Sequence, residues 1–218
     1  MRITNATWIA AALVTAAVAA ALWAWYSLPA GAGVPVNYLG LDGVRHHVVS
    51  RTALWLIPII SGFVTITMTF TPGFGMHRDV ERGAQVFDMT LISIAGLMLV
   101  VQVALISRAR DADFNVLRPV AIATGVLLLA IGNYLGKARQ NGFIGLKTPW
   151  TLADASVWDK THRFTGRAMF LGGMILILVG FVFREAVVLA IAIAACAALP
   201  MVVGAVHSRS LYRTLPRA

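Results

Sequence analysis

The sequence predicts an all-α fold, a polytopic integral membrane helical bundle of about six transmembrane helices with a short cytoplasmic amphipathic helix. Three observations carry that prediction. Of the 218 residues, 59% are apolar and only 12% are charged, where soluble domains carry about 25% charged residues. Mean hydropathy is +0.79. The apolar residues are gathered into six runs, near the roughly 17–25 residues that cross a hydrocarbon core.

The first run is Thr7–Leu28. Arg2 before it and Ala30-Gly31-Ala32 after it resemble a cleaved leader. The run is longer than the about 7–15 residues of a leader's apolar region, and it ends in Trp23, Trp25 and Tyr26, an interfacial cluster. It is expected to stay attached as a helix. Leu28–Arg51 follows as a compact extracytoplasmic loop rich in Pro and Gly, packed over the bundle. The second run is Ala53–Thr71, the third Met89–Ser107 and the fourth Pro119–Leu135. The fifth, Ala168–Phe183, is the shortest. The sixth is Ala186–Val206, joined to the fifth by Arg184 and Glu185 in a tight hairpin. Pro58 and Pro200 lie inside runs two and six and are expected to kink them, because neighbours in a bundle re-satisfy the freed carbonyls. Gln102, central in the third run, is expected to face the bundle interior. The chain divides into residues 1–71, two helices with the loop, and residues 72–218, a four-helix part.

Six spans put Arg2, Arg78, Arg82, the basic stretch 132–167 and the C-terminal arginines on one side. That side holds 12 of the 18 Lys and Arg residues, the other 6. The richer side is expected to be cytoplasmic, with both termini there. The net charge of +9 then reflects this bias and attraction to anionic headgroups. Nucleic-acid binding is excluded as a reading, because no basic domain stands clear of the bilayer. The lone Cys196 makes no internal disulfide and sits among Ala, Ile and Leu as a packing residue.

Gly132–Arg167 is the polar exception, with six of the Lys and Arg residues. Gly132 and Gly136 have the small-xxx-small spacing that lets helices approach closely, with Asn133 between them. Gly136-Lys137 lacks the partners of a phosphate loop. Asn141-Gly142 marks a turn. Phe143, Ile144, Leu146 and Trp150 are too apolar for a solvated loop, so the stretch folds back on the bundle. Thr151-Leu152-Ala153-Asp154 has the form of a capping box. From there Val157, Trp158, Thr161 and Thr165 share one helical face, and Lys160, Arg163 and Arg167 another. This reads as the amphipathic helix on the cytoplasmic surface. A plain connector with snorkelling basic residues is the alternative.

Gly132-Asn133-Tyr134, Asn141, Gly145, Thr148-Pro149-Trp150-Thr151-Leu152, Trp158, Lys160-Thr161-His162-Arg163 and Gly166 together resemble the signature of the SdpI family, polytopic bacterial membrane proteins named for immunity to a secreted toxin. Lys147 stands where the family has Arg, and Gln140 where Pro is expected. Lys keeps the charge and loses the planar donor fork. Leu28-Pro29, Val34-Pro35-Val36, Asn37-Tyr38, Gly40, Asp42-Gly43 and Pro58 are similar to a small domain of unknown function that often precedes the SdpI-type part, with Asn37 in place of its usual His. The resemblance implies a protein of the bacterial cytoplasmic membrane. It implies a functional segment of Asn133, Tyr134, Asn141, Gly145, Lys147, Thr148, Pro149, Trp150, Thr151, Trp158, Lys160, Thr161, His162 and Arg163.

Three function classes stay open. One is immunity to a membrane-active toxin peptide. A second is signalling, with the basic segment docking a cytosolic regulator. The third is a membrane enzyme or transporter. Against an enzyme stand the missing His-Glu-x-x-His and Gly-x-Ser-x-Gly motifs. Against a transporter stands the scarcity of ionisable residues within spans. Asp42 with His46-His47 falls short of the three or four convergent ligands of a metal site. No catalytic residue, cofactor or metal is expected, and the partners expected are the bilayer, a toxin peptide and a cytosolic regulator.

Overall fold

A computed structural model describes residues 3–29, 31–40, 43–74 and 77–215. Six helices among them are long and apolar enough to cross a membrane. They are α1 (Asn5–Ser27), α2 (Leu56–Phe70), α4 (Ala84–Arg110), α5 (Leu117–Leu135), α7 (Ala155–Val182) and α8 (Ala186–Arg213). Two short helices interrupt them, α3 (His77–Arg82) and α6 (Pro149–Ala153). The expected bundle is present, and each apolar run forms a helix of its own.

The chain between α1 and α2 is not a loop. Strands β1 (Gly33–Gly40) and β2 (Gly43–Ser50) pair antiparallel, from Gly33 opposite Ser50 to Gly40 opposite Gly43. The β-branched Val34, Val36, Val44, Val48 and Val49 favour pleated backbone, and Pro35 lies in a two-stranded hairpin, where each strand is an edge and Pro is tolerated. The hairpin is seated on the bundle. Val34 is buried with Ala24, Leu28, Leu54 and Ile106. Arg51 donates to the carbonyls of Trp25 and Leu28 at 3.2 and 3.3 Å, and its guanidinium lies 4.2 Å from the Trp25 ring. Asp42 and the side chains of Asn37 and His46 lie outside the described residues, so the Asp42–His46–His47 group and the Asn37 position rest on sequence alone.

Pro58 does not kink a helix. It lies in the first turn of α2, where its missing N–H is not required, after a 3-10 segment over Arg51–Trp55. Pro200 is inside α8. Gln102 is fully buried on α4, as expected, and neither of its amide atoms has a hydrogen-bond partner.

α1 and α2 pack against α4, and α4 packs against α5, while α5, α7 and α8 form the other side of the bundle. Lipid gives no hydrophobic drive for helices to associate, so close packing of small residues must supply it. The α5–α7 seam does so with glycines. A Cβ on Gly132 would meet the carbonyl oxygen of Gly166 at 2.6 Å, and one on Gly166 would meet that of Gly132 at 2.6 Å. Gly125 and Gly173 oppose each other in the same way at 2.7 and 2.6 Å. Arg118 completes the seam, donating to the carbonyls of Gly180 at 3.2 Å and Phe181 at 3.0 Å. Those carbonyls close α7 and have no partner within the helix.

One end of the bundle carries the hairpin, the α4–α5 connection and the α7–α8 turn. Arg108 reaches the Pro35 carbonyl there, and Asn115 the Arg184 carbonyl. The other end carries the α2–α4 and α5–α7 connections with the start of α1 and the end of α8.

Candidate functional site

Residues 136–162 fold back on that second end as a hydrogen-bonded unit. α5 stops at Gly136, and a turn follows through Lys137 N–H to Tyr134 O and Ala138 N–H to Leu135 O. The chain is then clasped to α3. Arg139 N–H donates to Arg82 O at 3.0 Å, and the Arg82 guanidinium donates to Gln140 O at 3.2 Å.

Asn141 shapes the next turn. It is buried. Its Oδ1 accepts from the N–H groups of Phe143 and Ile144 at 2.9 and 2.6 Å, while its Nδ2 donates to Arg139 O at 2.8 Å. Asn is suited to this because its amide caps its own following backbone. Gly145 then takes φ +119°, the one positive φ among the described residues.

Thr148 ends the turn and begins α6. It has extended backbone, as a residue before proline must, and its Oγ1 accepts from Thr151 N–H at 3.1 Å. Thr151 Oγ1 in return accepts from Thr148 N–H at 2.9 Å and donates to Leu146 O at 2.9 Å. The capping box is therefore Thr148 with Thr151, not Thr151 with Asp154. Asp154 caps α7 instead, accepting from Ser156 N–H at 2.8 Å and Val157 N–H at 3.0 Å. The Ser156 hydroxyl and then the Val157 amide hold its carboxyl below the ordinary carboxylate range. For the same reason, the amphipathic helix expected to lead into the fifth span is continuous with it. α6 is a single turn, and the basic stretch after Asp154 is the first part of the continuous helix α7.

The centre of the unit is a pair of buried rings. Trp158 and His162 are both 0% exposed and stack with centroids 3.9 Å apart at 20°. Trp158 Nε1 donates to Ala138 O at 2.8 Å. His162 Nε2 accepts from Leu146 N–H at 2.9 Å, which leaves the ring proton on Nδ1 to donate to Trp158 O at 2.8 Å. The imidazole is a neutral strut between α7 and the turn. The apolar face read from sequence, Val157, Trp158, Thr161 and Thr165, is buried throughout.

The sequence-derived residues separate into two groups. Asn141, Gly145, Thr148, Thr151, Trp158 and His162 come together in the unit. Thr161 is buried beside them with its hydroxyl unpartnered. Asn133, Lys147, Lys160 and Arg163 are exposed. Tyr134 is half-buried beneath the Lys137 ammonium, 4.4 Å from its ring. Pro149 is the first residue of α6, and Trp150 is half-buried with the Arg209 guanidinium 5.8 Å away.

Four contributors were not legible in advance. Ser208 on α8 bonds Thr148 Oγ1 at 3.0 Å. Gly204 lies so close to Thr165 that a Cβ there would overlap its hydroxyl. Arg82 clasps the segment. Gln140, noted only as a departure from the family pattern, donates through Nε2 to the Thr151 and Leu152 carbonyls at 2.7 and 2.9 Å. A Pro there would have no such amide. Of these, the Gly at 204 and the Ser one turn later were visible as small residues on α8. Arg82 was not, because its partner is 58 residues away.

Under residues 143–146 lies a cleft of about 300 Å³. It opens between the two sides of the bundle and is lined by Met68, Thr90, Phe143, Leu146, Met169 and Met201 among others. No group of His, Cys, Asp and Glu suited to a metal occurs among the described residues.

The comparisons with known proteins fall on this same region. Residues 137–205 match the SdpI/YfhL protein family. This part of the chain is similar to an SdpI domain. The match takes in all of the unit but Gly136, together with α7 and most of α8. A relative, the "Immunity protein SdpI" of Bacillus subtilis (strain 168), is 29% identical over 183 residues, 84% of this chain and 84% of that protein. No solved structure matches.

Proposed function

We propose that this protein is a membrane immunity protein that counters a membrane-active toxin peptide by binding it. The likeness to an immunity protein over 84% of both chains carries this reading. The cleft beneath residues 143–146 gives it a physical form. Met68, Met169 and Met201 are unbranched and polarisable, so they adapt to varied apolar partners. A peptide side chain entering there meets Phe143 and Leu146, which belong to the turn held by His162 and Asn141. Occupancy of the cleft is thereby read at the surface that carries Lys147 and Lys160. The proposed location is the bacterial cytoplasmic membrane, with both termini and this surface in the cytosol, in keeping with the charge bias.

A second reading, docking of a cytosolic regulator, is favoured by the exposed Arg139, Lys147 and Lys160 around the half-buried Trp150. It is compatible with the first.

Binding saturates and catalysis does not. Cells with graded expression should be challenged with a titrated membrane-active peptide. Protection is expected to scale with copy number and to fail once peptide exceeds protein. Many peptides cleaved or modified per copy of purified protein would overturn binding in favour of turnover. Absence of protection, with a soluble protein retained through Lys147 and Lys160, would leave the docking reading.

A further inference from the structure

The close approach of α5 and α7 has an outer consequence. Gly132, Gly136 and Gly166 present no side chains, and a groove of about 610 Å³ runs along that flank. Asn133, Arg163, Arg167, Phe170 and Leu171 wall it. Arg163 is placed by its stem, which packs over Gly136 with Cγ 3.1 Å from where a Cβ would stand. Asn133, Arg163 and Arg167 are exposed, and no hydrogen bond or ion pair ties their side chains to the other described residues. Three unpaired donor side chains thus converge on one groove.

Depth along α7 orders the groove chemically. Arg163 and Arg167 lie one turn apart toward the end that holds the termini. Phe170 and Leu171 lie one turn deeper, 41% and 59% exposed, where the helix becomes wholly apolar. Cationic donors at the level of the headgroups, with an apolar wall directly below, complement an amphiphile with an anionic head. Guanidinium groups present planar donor pairs matched to phosphate oxygens, and basic pockets between membrane helices hold anionic headgroups.

We propose that this groove is a binding site for one anionic phospholipid. Its phosphate is held by Arg163, Arg167 and the Asn133 amide, and an acyl chain lies along Phe170 and Leu171. A soluble phosphate would leave the apolar wall unused, which is why the lipid is the occupant. The groove's lining shares no residue with the Trp158–His162 ring pair or its hydrogen-bond partners, so lipid binding is read without reference to resistance.

The full chain, delipidated in detergent, should be titrated with phosphatidylglycerol and with phosphatidylcholine of the same acyl chains, and bound lipid counted by native mass spectrometry. Phosphatidylglycerol is expected to bind as one tight equivalent with roughly tenfold preference, the factor that corresponds to about 1.4 kcal/mol. The double variant Arg163→Gln/Arg167→Gln should bring the preference within about twofold, and Asn133→Ala should reduce it in part. Arg209→Gln/Arg213→Gln removes the same charge from the same end and should leave the preference intact. Equal binding of the two lipids by the unaltered chain would overturn the proposal. Equal losses in both double variants would overturn it as well, by assigning the effect to diffuse charge. Displacement by glycerol phosphate without chains would replace the lipid with a soluble anion. All the altered side chains are exposed, and unchanged helix content by circular dichroism would confirm that each variant is folded.

Discussion

Gly145 holds φ at +119°, and a Cβ there would stand 2.3 Å from His162 Nε2 and 3.2 Å from Trp158 Cζ2. Two independent constraints meet at one residue, a left-handed backbone and a wall of stacked rings. Gly145→Ala is expected to cost about 1–3 kcal/mol in backbone strain alone and to push the Leu146 N–H off the imidazole. Thermal unfolding in detergent should show a clear loss against Gly96→Ala, which meets nothing within 4 Å. Equal behaviour of the two would refute the strut. Asp154 gives a pH test at the same scale. Its carboxyl titrates lower in the folded chain than its ordinary value, so its cap is present above that ordinary range and is lost as pH falls through the depressed folded value. Protection of the Ser156 and Val157 amides, measured as exchange relative to the intrinsic rate at each pH, should fall on acidification below about 4. Asp154→Asn keeps an acceptor at the cap and should flatten that dependence.

At the scale of elements, the helices were legible and their seams were not. Length and hydropathy place a span without reference to any partner. A seam depends on which faces meet. Gly132 and Gly136, read from sequence as one close-packing pair, do different things in the structure. Gly132 meets Gly166 across the seam, while Gly136 seats Arg163. The true repeat is seven residues, Gly125 with Gly132 on α5 and Gly166, Gly173 and Gly180 on α7, and it was visible in the sequence only once antiparallel pairing was known. Similarly, Trp150 and Trp158 looked equivalent. Burial separates them, because Trp158 points along the α7 face toward Ala138 and Trp150 sits on the single turn of α6. The hairpin Gly33–Ser50 was missed because Pro and Gly outweighed its valines. At the seam, Gly173→Ala places a Cβ 2.6 Å from Gly125 O, and the helices must part. Overpacking of this kind costs typically 1–3 kcal/mol. Gly172→Ala, one residue along, meets its nearest atom at 3.4 Å and should be tolerated. Thermal unfolding of the two variants in detergent should differ accordingly, and an equal loss in both would argue that the helices are not held by this seam.

At the scale of the molecule, the two ends are built differently, and that difference should fix how the chain sits in the bilayer. The hairpin end uses four of its arginines internally. Arg51, Arg108 and Arg118 all donate to backbone carbonyls there, and Arg110 stacks on Trp23 at 3.9 Å. The opposite end leaves Arg139, Lys160, Arg163 and Arg167 exposed. Lys and Arg beside the spans are held back on the cytoplasmic side, and the opposite end holds 12 of the 18. That bias supports the proposal that both termini lie in the cytosol. Single cysteines in a Cys196→Ser background test it, provided the positions are accessible. Ala138 is buried and would resist a reagent on either side. Ala155 and Ala112 are exposed at opposite ends. An impermeant thiol reagent added to intact cells should label Ala112→Cys and spare Ala155→Cys, and permeabilisation should render both reactive. Labelling of Ala155→Cys in intact cells would invert the molecule. The Trp158–His162 unit, and with it the proposed readout of the cleft, would then face away from the cytosol.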